Sequence, residues 1–250
     1  MAVSIKFARE IELMREAGKR LAHVHQELEA MIAPGISTWE IDAKGEKLIR
    51  DCGCIPNFLH YNGYPASICV SVNDEVVHGI PRKDRYLKEG DIVSLDAGLI
   101  YKGYHSDAAR THAVGKVSTE AQKLMDVTKQ SFFEGIKMAK EGQHLHDISR
   151  AIEEYVTPYG YGIVRDLVGH GIGTALHEDP QIPNYAQKRR GVRLQAGMTL
   201  AIEPMINAGT WQVRFLRDGW TVVTKDGSLS AHYENTILVT DGEPEILTLY

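Results

Sequence analysis

Asp96 and Asp107 sit in the stretch SLDAGLIYKGYHSDAART, residues 94–111, which reads as two strands around a Lys102-Gly103 turn. A two-residue turn puts strand residues an odd number of positions apart on the same face, so the two carboxylates point the same way. Glu203 in MTLAIEPMI and Glu234 in HYENTILVT occupy similar settings. Leu95 and Ala97 flank Asp96, and Ile202 and Pro204 flank Glu203. A lone carboxylate on a strand is ordinarily a surface residue or an ion-pair partner. Four that face one axis repel one another, and they must either take up protons or push the sheets apart. Divalent cations remove that conflict, two ions supplying four positive charges against four negative ones. His170, between Gly169 and Gly171 in LVGHGIGTALHEDP, adds an imidazole where glycines let the backbone approach closely. Four carboxylates and one imidazole form a mainly hard-oxygen donor set. It suits Mn²⁺, Fe²⁺, Co²⁺ or Zn²⁺ in a two-metal arrangement, not a cysteine-rich structural zinc site.

The carboxylates face one axis because the elements that carry them repeat. Ile11, Met14, Ala17, Leu21, Val24, Leu28 and Met31 recur at three- and four-residue steps, which predicts a helix over residues 7–31. A second helix is predicted from a cap at Ser37 or Thr38 to about Asp51. Strands follow in SICVSVN, DIVSLDAGLIY and DAARTHAVG. Helices return over residues 119–140 and 145–156, and strands again in MTLAIEPMI, WTVVT and HYENTILVT. A shift of 107 residues lays Met31 on Met138, Gly35 on Gly142, Glu46 on Glu153, Gly90 on Gly197 and Asp96 on Glu203. His78-Gly-Ile-Pro81 matches His177-Glu-Asp-Pro180, and His105-Ser-Asp107 matches His232-Tyr-Glu234. The order implies one pseudo-symmetric α+β domain over residues 1–250. Its two related halves, roughly 5–115 and 116–250, share a core.

Composition narrows the class. The 250 residues are 43% hydrophobic and 24% charged, with a formal net charge of −5, so nothing global points to nucleic acid. The basic run Lys188-Arg189-Arg190 reads as a solvated loop. Cys52, Cys54 and Cys69 are too few and too unevenly spaced for a disulfide framework or a paired-cysteine metal site. No apolar run is long enough to span a bilayer, and the N-terminal residues lack a signal-peptide core, so a cytoplasmic protein is expected.

Asp96, Asp107, His170, Glu203 and Glu234, with the text NGYPASICVSVNDEVVHGIP, GDIVSLDAG, HSDAART, GHGIGTALHEDP, GMTLAIEPMI and DGWTVVTKDGSLSAHYENTILVT, resemble the methionine aminopeptidase family over nearly the whole chain. The short stretch before the first helix resembles the bacterial type I form, which has no zinc-binding extension. The resemblance implies the pita-bread fold: two pseudo-symmetric halves, antiparallel strands inside and helices outside. It also implies removal of the initiator methionine from new polypeptides when the second residue is small.

By this resemblance Asp107 and Glu234 bridge two metal ions, Asp96 completes one ion, and His170 and Glu203 complete the other. Glu203 carries a proton from the attacking water to the leaving amine, His177 donates to the oxyanion, and His78 holds substrate near the scissile nitrogen. Phe58, Tyr61, Tyr64, Cys69, Leu176 and Trp220 map to the methionine pocket. Leu176 stands where the family often has an aromatic residue, and Asn62 where it can have histidine. Asn73 and Ser230 map to a loop that binds a monovalent cation in some relatives. The partners implied are nascent N-termini met by a monomer, with a transient ribosome contact. The rivals are a proline-specific aminopeptidase of the same fold, a one-metal enzyme, and a non-catalytic relative that binds protein or RNA.

Overall fold

The computed structural model describes residues 3–249; Met1, Ala2 and Tyr250 lie outside it, so the expected 1–250 domain is described only within those bounds. Helix α1 (Ala8–Glu29) forms on the apolar spacing noted above and buries Met14, Ala17, Leu21, Val24 and Leu28. Helix α2 (Thr38–Asp51) starts at a reciprocal cap. The Ser37 hydroxyl accepts the Glu40 N–H at 3.2 Å, and the Glu40 carboxylate accepts the Ser37 N–H at 2.8 Å. Helix α3 (Thr119–Ile136) is capped by Ser118, and α4 (Leu145–Val156) follows. Helix α3 ends four residues earlier than its apolar pattern suggested, in a turn at Lys137.

Seven strands of the main antiparallel sheet matter for the site: β1 (Ile68–Val72), β2 (Ile92–Tyr101), β3 (Tyr104–Ala113), β4 (Gly169–Gly171), β5 (Glu178–Ile182), β6 (Thr199–Ile202) and β7 (Glu234–Leu238). They run in the order β2-β3-β7-β6-β4-β5, with β1 paired to the outer side of β2. Lys102 and Gly103, at φ of 48° and 84°, make the left-handed two-residue turn between β2 and β3. Both central residues at positive φ match the twist of a hairpin, and the glycine takes that conformation without steric cost. The sheet is mixed with helices in an α+β architecture, helices on one side.

Alternation along the strands separates core from site. Val93 and Leu95 of β2 pack with Ile68, Leu21, Leu28, Ile41 and Ile49, beneath α1 and α2. Leu200, Ile202 and Ile237 pack with Leu124, Phe132, Ile148 and Ile152, beneath α3 and α4. Asp96, Ala201 and Thr236 are on the opposite parity and hence the opposite face. Strands β3 and β7 join the two packed layers through the pairs Glu234↔Ala109 and Asn235↔Ala108. Side chains reinforce this seam. The Thr236 hydroxyl accepts the Asp107 N–H at 3.0 Å and donates to the Asp107 carbonyl at 2.9 Å. The buried Arg110 guanidinium donates to the carbonyls of Ala109, Glu234 and Thr248 and to Asn235 Oδ1.

Two expected strands are each broken. MTLAIEPMI is divided at Glu203-Pro204, and Met205–Asn207 pairs instead with Ser230–His232 and Gly162–Ile163 in a separate three-stranded sheet. Pro204 has no N–H to continue the ladder. HYENTILVT is divided at Tyr233, with Ser230–His232 in the small sheet and β7 in the large one. The three cysteines are free thiols, Cys54 and Cys69 buried. Arg190 of the basic loop is exposed and paired with Asp147 at 2.6 Å.

Candidate metal centre

Register brings the carboxylates to one face. Asp96 is opposite Ala109 and Asp107 is opposite Gly98, so both project to the same side of the β2–β3 hairpin. Cys69 is opposite Asp96 across the β1–β2 pair, and Glu234 is opposite Ala109 across the seam. His170 is opposite Ala201, and Glu203 follows two residues after Ala201 on the same alternation. Glycine makes the His170 position possible. A Cβ on Gly169 would lie 2.4 Å from the Ala201 carbonyl oxygen, and one on Gly171 would lie 2.2 Å from that of Asp179. Strand β4 is therefore pressed between its neighbours as only glycine allows. The Asn184 amide donates to the Glu203 carbonyl at 3.0 Å and fixes the chain at the break before Pro204.

These residues line one cavity of about 260 Å³, with Asp96, Asp107, His170, Glu203 and Glu234 together and Phe58, Tyr61, Asn62, Tyr64, Cys69, His78, Leu176, His177 and Trp220 around them. Asn73 and Ser230 do not border it. They adjoin one another elsewhere, the Ser230 N–H donating to the Asn73 carbonyl at 2.9 Å.

The electrostatics match an anionic cage. Burial lifts Asp96 to about 7, although its contact with Asp107 acts in the opposite direction. Asp107 is held well above the ordinary carboxylate range by burial, then by the charges of Asp96 and Glu203. Burial and Asp96 raise Glu203, and burial with Asp107, Glu203 and Asp96 raises Glu234. Oxygens of Asp96, Asp107 and Glu234 are buried with no hydrogen-bond donor. Buried carboxylate oxygens without donors are costly, and cations answer that cost.

The imidazoles are prepared as neutral bases. The His170 Nδ1–H donates to the Gly171 carbonyl at 2.8 Å; a carbonyl only accepts, so the lone pair is on Nε2. That Nε2 lies 3.7 Å from Glu203 Oε1 and 3.9 Å from Asp107 Oδ2. Two ligands each about 2.1 Å from one tetrahedral ion stand about 3.4 Å apart. The spacing is therefore that of donors sharing a cation, too long for hydrogen bonds. Asp107, His170 and Glu234 offer ligand atoms within 4.8 Å of one another, as do Glu203, His232 and Glu234, so Glu234 belongs to both sets. The buried donor set fits divalent metal. Burial lowers His170 to about 3, with His177 adding to the effect.

Around the cage, the Tyr61 hydroxyl and His177 Nδ1 are 2.8 Å apart, and the His177 and His170 rings lie 4.3 Å apart. His78, at φ 58°, is set edge-on to Trp220 at 6.4 Å, and Tyr64 edge-on to the same ring at 5.1 Å. The Tyr64 hydroxyl donates to the Gly79 carbonyl at 2.9 Å, which fixes this wall. Burial lowers both His78, to about 4, and His177.

His232 escaped the sequence reading as a functional residue. The matched His105 and His232 gave the signal, a histidine two residues before a carboxylate in each half. The His232 Nε2 lies 3.6 Å from Glu203 Oε2.

Comparison with known proteins gives a consistent result. The family model described as metallopeptidase family M24 matches residues 12–241. The chain is 54% identical over 247 residues to a methionine aminopeptidase from Clostridium acetobutylicum, covering 99% of each chain. It is 51% identical to methionine aminopeptidase 1 from Bacillus subtilis, covering 97% of this chain and 98% of that one. The crystal structure of a methionine aminopeptidase from Thermotoga maritima superposes with a TM-score of 0.97 at 46% identity, each chain covered in full.

Proposed function

The chain belongs to metallopeptidase family M24, and from that premise we propose that it removes the N-terminal methionine of new polypeptides whose second residue is small, by metal-dependent hydrolysis. One observation carries the reading: buried carboxylates without donors share a cavity with a wall of aromatic rings, a thiol and a leucine. Relatives of full-length similarity are methionine aminopeptidases, which favours this activity over the proline-specific alternative.

In this reading Asp107 and Glu234 would serve both of two divalent ions, Asp96 one of them, and His170 and Glu203 the other. Bound there, they would supply an activated water and a Lewis acid for the scissile carbonyl. Glu203 takes a proton from the attacking water and delivers it to the leaving amine, a task for a carboxylate that borders the same cavity as the other candidate ligands. His177 is neutral, and Tyr61 at its Nδ1 leaves Nε2 to face the oxyanion as a donor. His78 holds the peptide near the scissile nitrogen. Phe58, Tyr61, Tyr64, Cys69, Leu176 and Trp220 receive the methionine side chain, whose thioether suits aromatic edges and a thiol. Leu176 and Asn62 shape the part of the wall that departs from the family pattern. Asn73 and Ser230 are the monovalent-cation corner. The protein acts as a cytoplasmic monomer on nascent chains, with a transient ribosome contact; no described helix is long and apolar enough to cross a membrane.

The test offers chelator-stripped protein the peptides Met-Ala-Ser and Ala-Pro-Ser, with Mn²⁺, Co²⁺, Fe²⁺ or no metal. Metal-dependent release of methionine from the first peptide alone is expected. Cleavage of the second would move the assignment to a proline-specific enzyme. Cleavage of neither under any metal would favour a non-catalytic role.

A further inference from the structure

His232 is 1% exposed, and both its ring nitrogens lack a hydrogen-bond partner. A buried imidazole with two unanswered nitrogens is uncommon and asks for a reason. Its backbone leaves it little freedom. The His232 N–H donates to the Thr111 hydroxyl at 2.9 Å, and the same hydroxyl donates to the His232 carbonyl at 2.9 Å. The backbone of His232 thus belongs to the small sheet and is tied through Thr111 to β3 of the large one.

Its Nε2 lies 3.6 Å from Glu203 Oε2 and 3.8 Å from Glu234 Oε2. His170, on the other side, faces Glu203 through Oε1 at 3.7 Å. The two Glu203 oxygens are therefore divided between two imidazoles. His170 borders the cavity and His232 does not; it stands behind the carboxylate. The 3.6 Å gap is of the same length as those from His170; what separates the two rings is place, since His170 borders the cavity that the five candidate ligands line and His232 lies outside it.

We infer that His232 is the positioning residue for Glu203: its Nε2–H holds Oε2 and leaves Oε1 directed at the metal and the reacting water. The inference rests on the metal-centre reading above. Carboxylates that serve a metal are themselves held by outer donors, and loss of such a donor costs about 10–100-fold in affinity or rate. Shape alone does not require a nitrogen here, so the donor is what the experiment isolates.

The experiment compares His232→Leu, which removes the donor, with His232→Gln, which keeps an N–H on a shorter reach. Each is stripped with chelator and checked for folding by its metal-free melting curve. Mn²⁺ binding is then measured by calorimetry, and kcat and KM with Met-Ala-Ser. His232→Leu should weaken Mn²⁺ binding and lower kcat, each tenfold or more, with KM within threefold. His232→Gln should restore most of both losses. Equal loss in both variants would mean that the ring's shape matters and not its donor, and would overturn the inference. So would unchanged Mn²⁺ binding and kcat in His232→Leu. Should the Mn²⁺-loaded wild-type protein bind the ion yet release no methionine, the proposed function fails, and the calorimetric comparison still decides the role of His232.

Discussion

Burial raises the Asp96 carboxyl from an ordinary value near 3.8 to about 7 in the folded chain. The folded protein therefore binds this proton more tightly than the unfolded chain does. The stability it contributes is complete below about pH 4 and is lost as pH rises to about 7. Asp96→Asn removes that dependence. In chelator-stripped protein, melting curves should show the variant gaining on the wild type between pH 4 and 7, with a constant advantage above. With saturating Mn²⁺ the order should reverse, because asparagine brings no charge to the ion. Glu203→Gln should weaken Mn²⁺ binding and, at saturating Mn²⁺, still lower kcat by about 10²–10⁴-fold, the range for a lost proton carrier; full activity at saturating Mn²⁺ would remove Glu203 from that role. The carboxylates were legible in sequence because a charged residue between apolar strand neighbours is conspicuous. His232 was not, since a neutral histidine in a strand poses no charge conflict that asks for a partner.

The elements make different demands on their glycines. Gly103 has positive φ and open space around it, so Gly103→Ala should cost about 1 kcal/mol in denaturant melts and leave Mn²⁺ affinity unchanged. Gly171→Ala would drive a Cβ onto the Asp179 carbonyl and displace His170. It should cost about 1–3 kcal/mol and weaken Mn²⁺ binding at least tenfold, by calorimetry. The four helices and the β2–β3 hairpin were readable from periodicity and from the turn. Short strands such as Ile55–Pro56, Glu178–Ile182 and Val213–Phe215 were not. Two to five residues carry too little alternation, and their pairing partners are distant in sequence.

At the scale of the whole molecule, two helix-covered layers meet along β3 and β7, and the carboxylates lie on that seam. Arg110 binds the seam from within, its ring-facing side 4.5 Å from the Tyr233 ring. Arg110→Met would leave several buried carbonyls unanswered. It should cost about 3 kcal/mol or more and lower metal affinity along with it, read from melts with and without Mn²⁺. The order of helices, strands, helices and strands was readable in the chain, but the seam itself depends on side chains whose partners lie more than 100 residues away. The most direct test of the account is the anomalous diffraction of crystals grown with Mn²⁺ at neutral pH. Two peaks are predicted among Asp96, Asp107, His170, Glu203 and Glu234, at the spacing of about 3.5–4 Å that two-metal hydrolases use, with the Glu234 carboxylate between them. Full manganese loading with no peak at these carboxylates would contradict it.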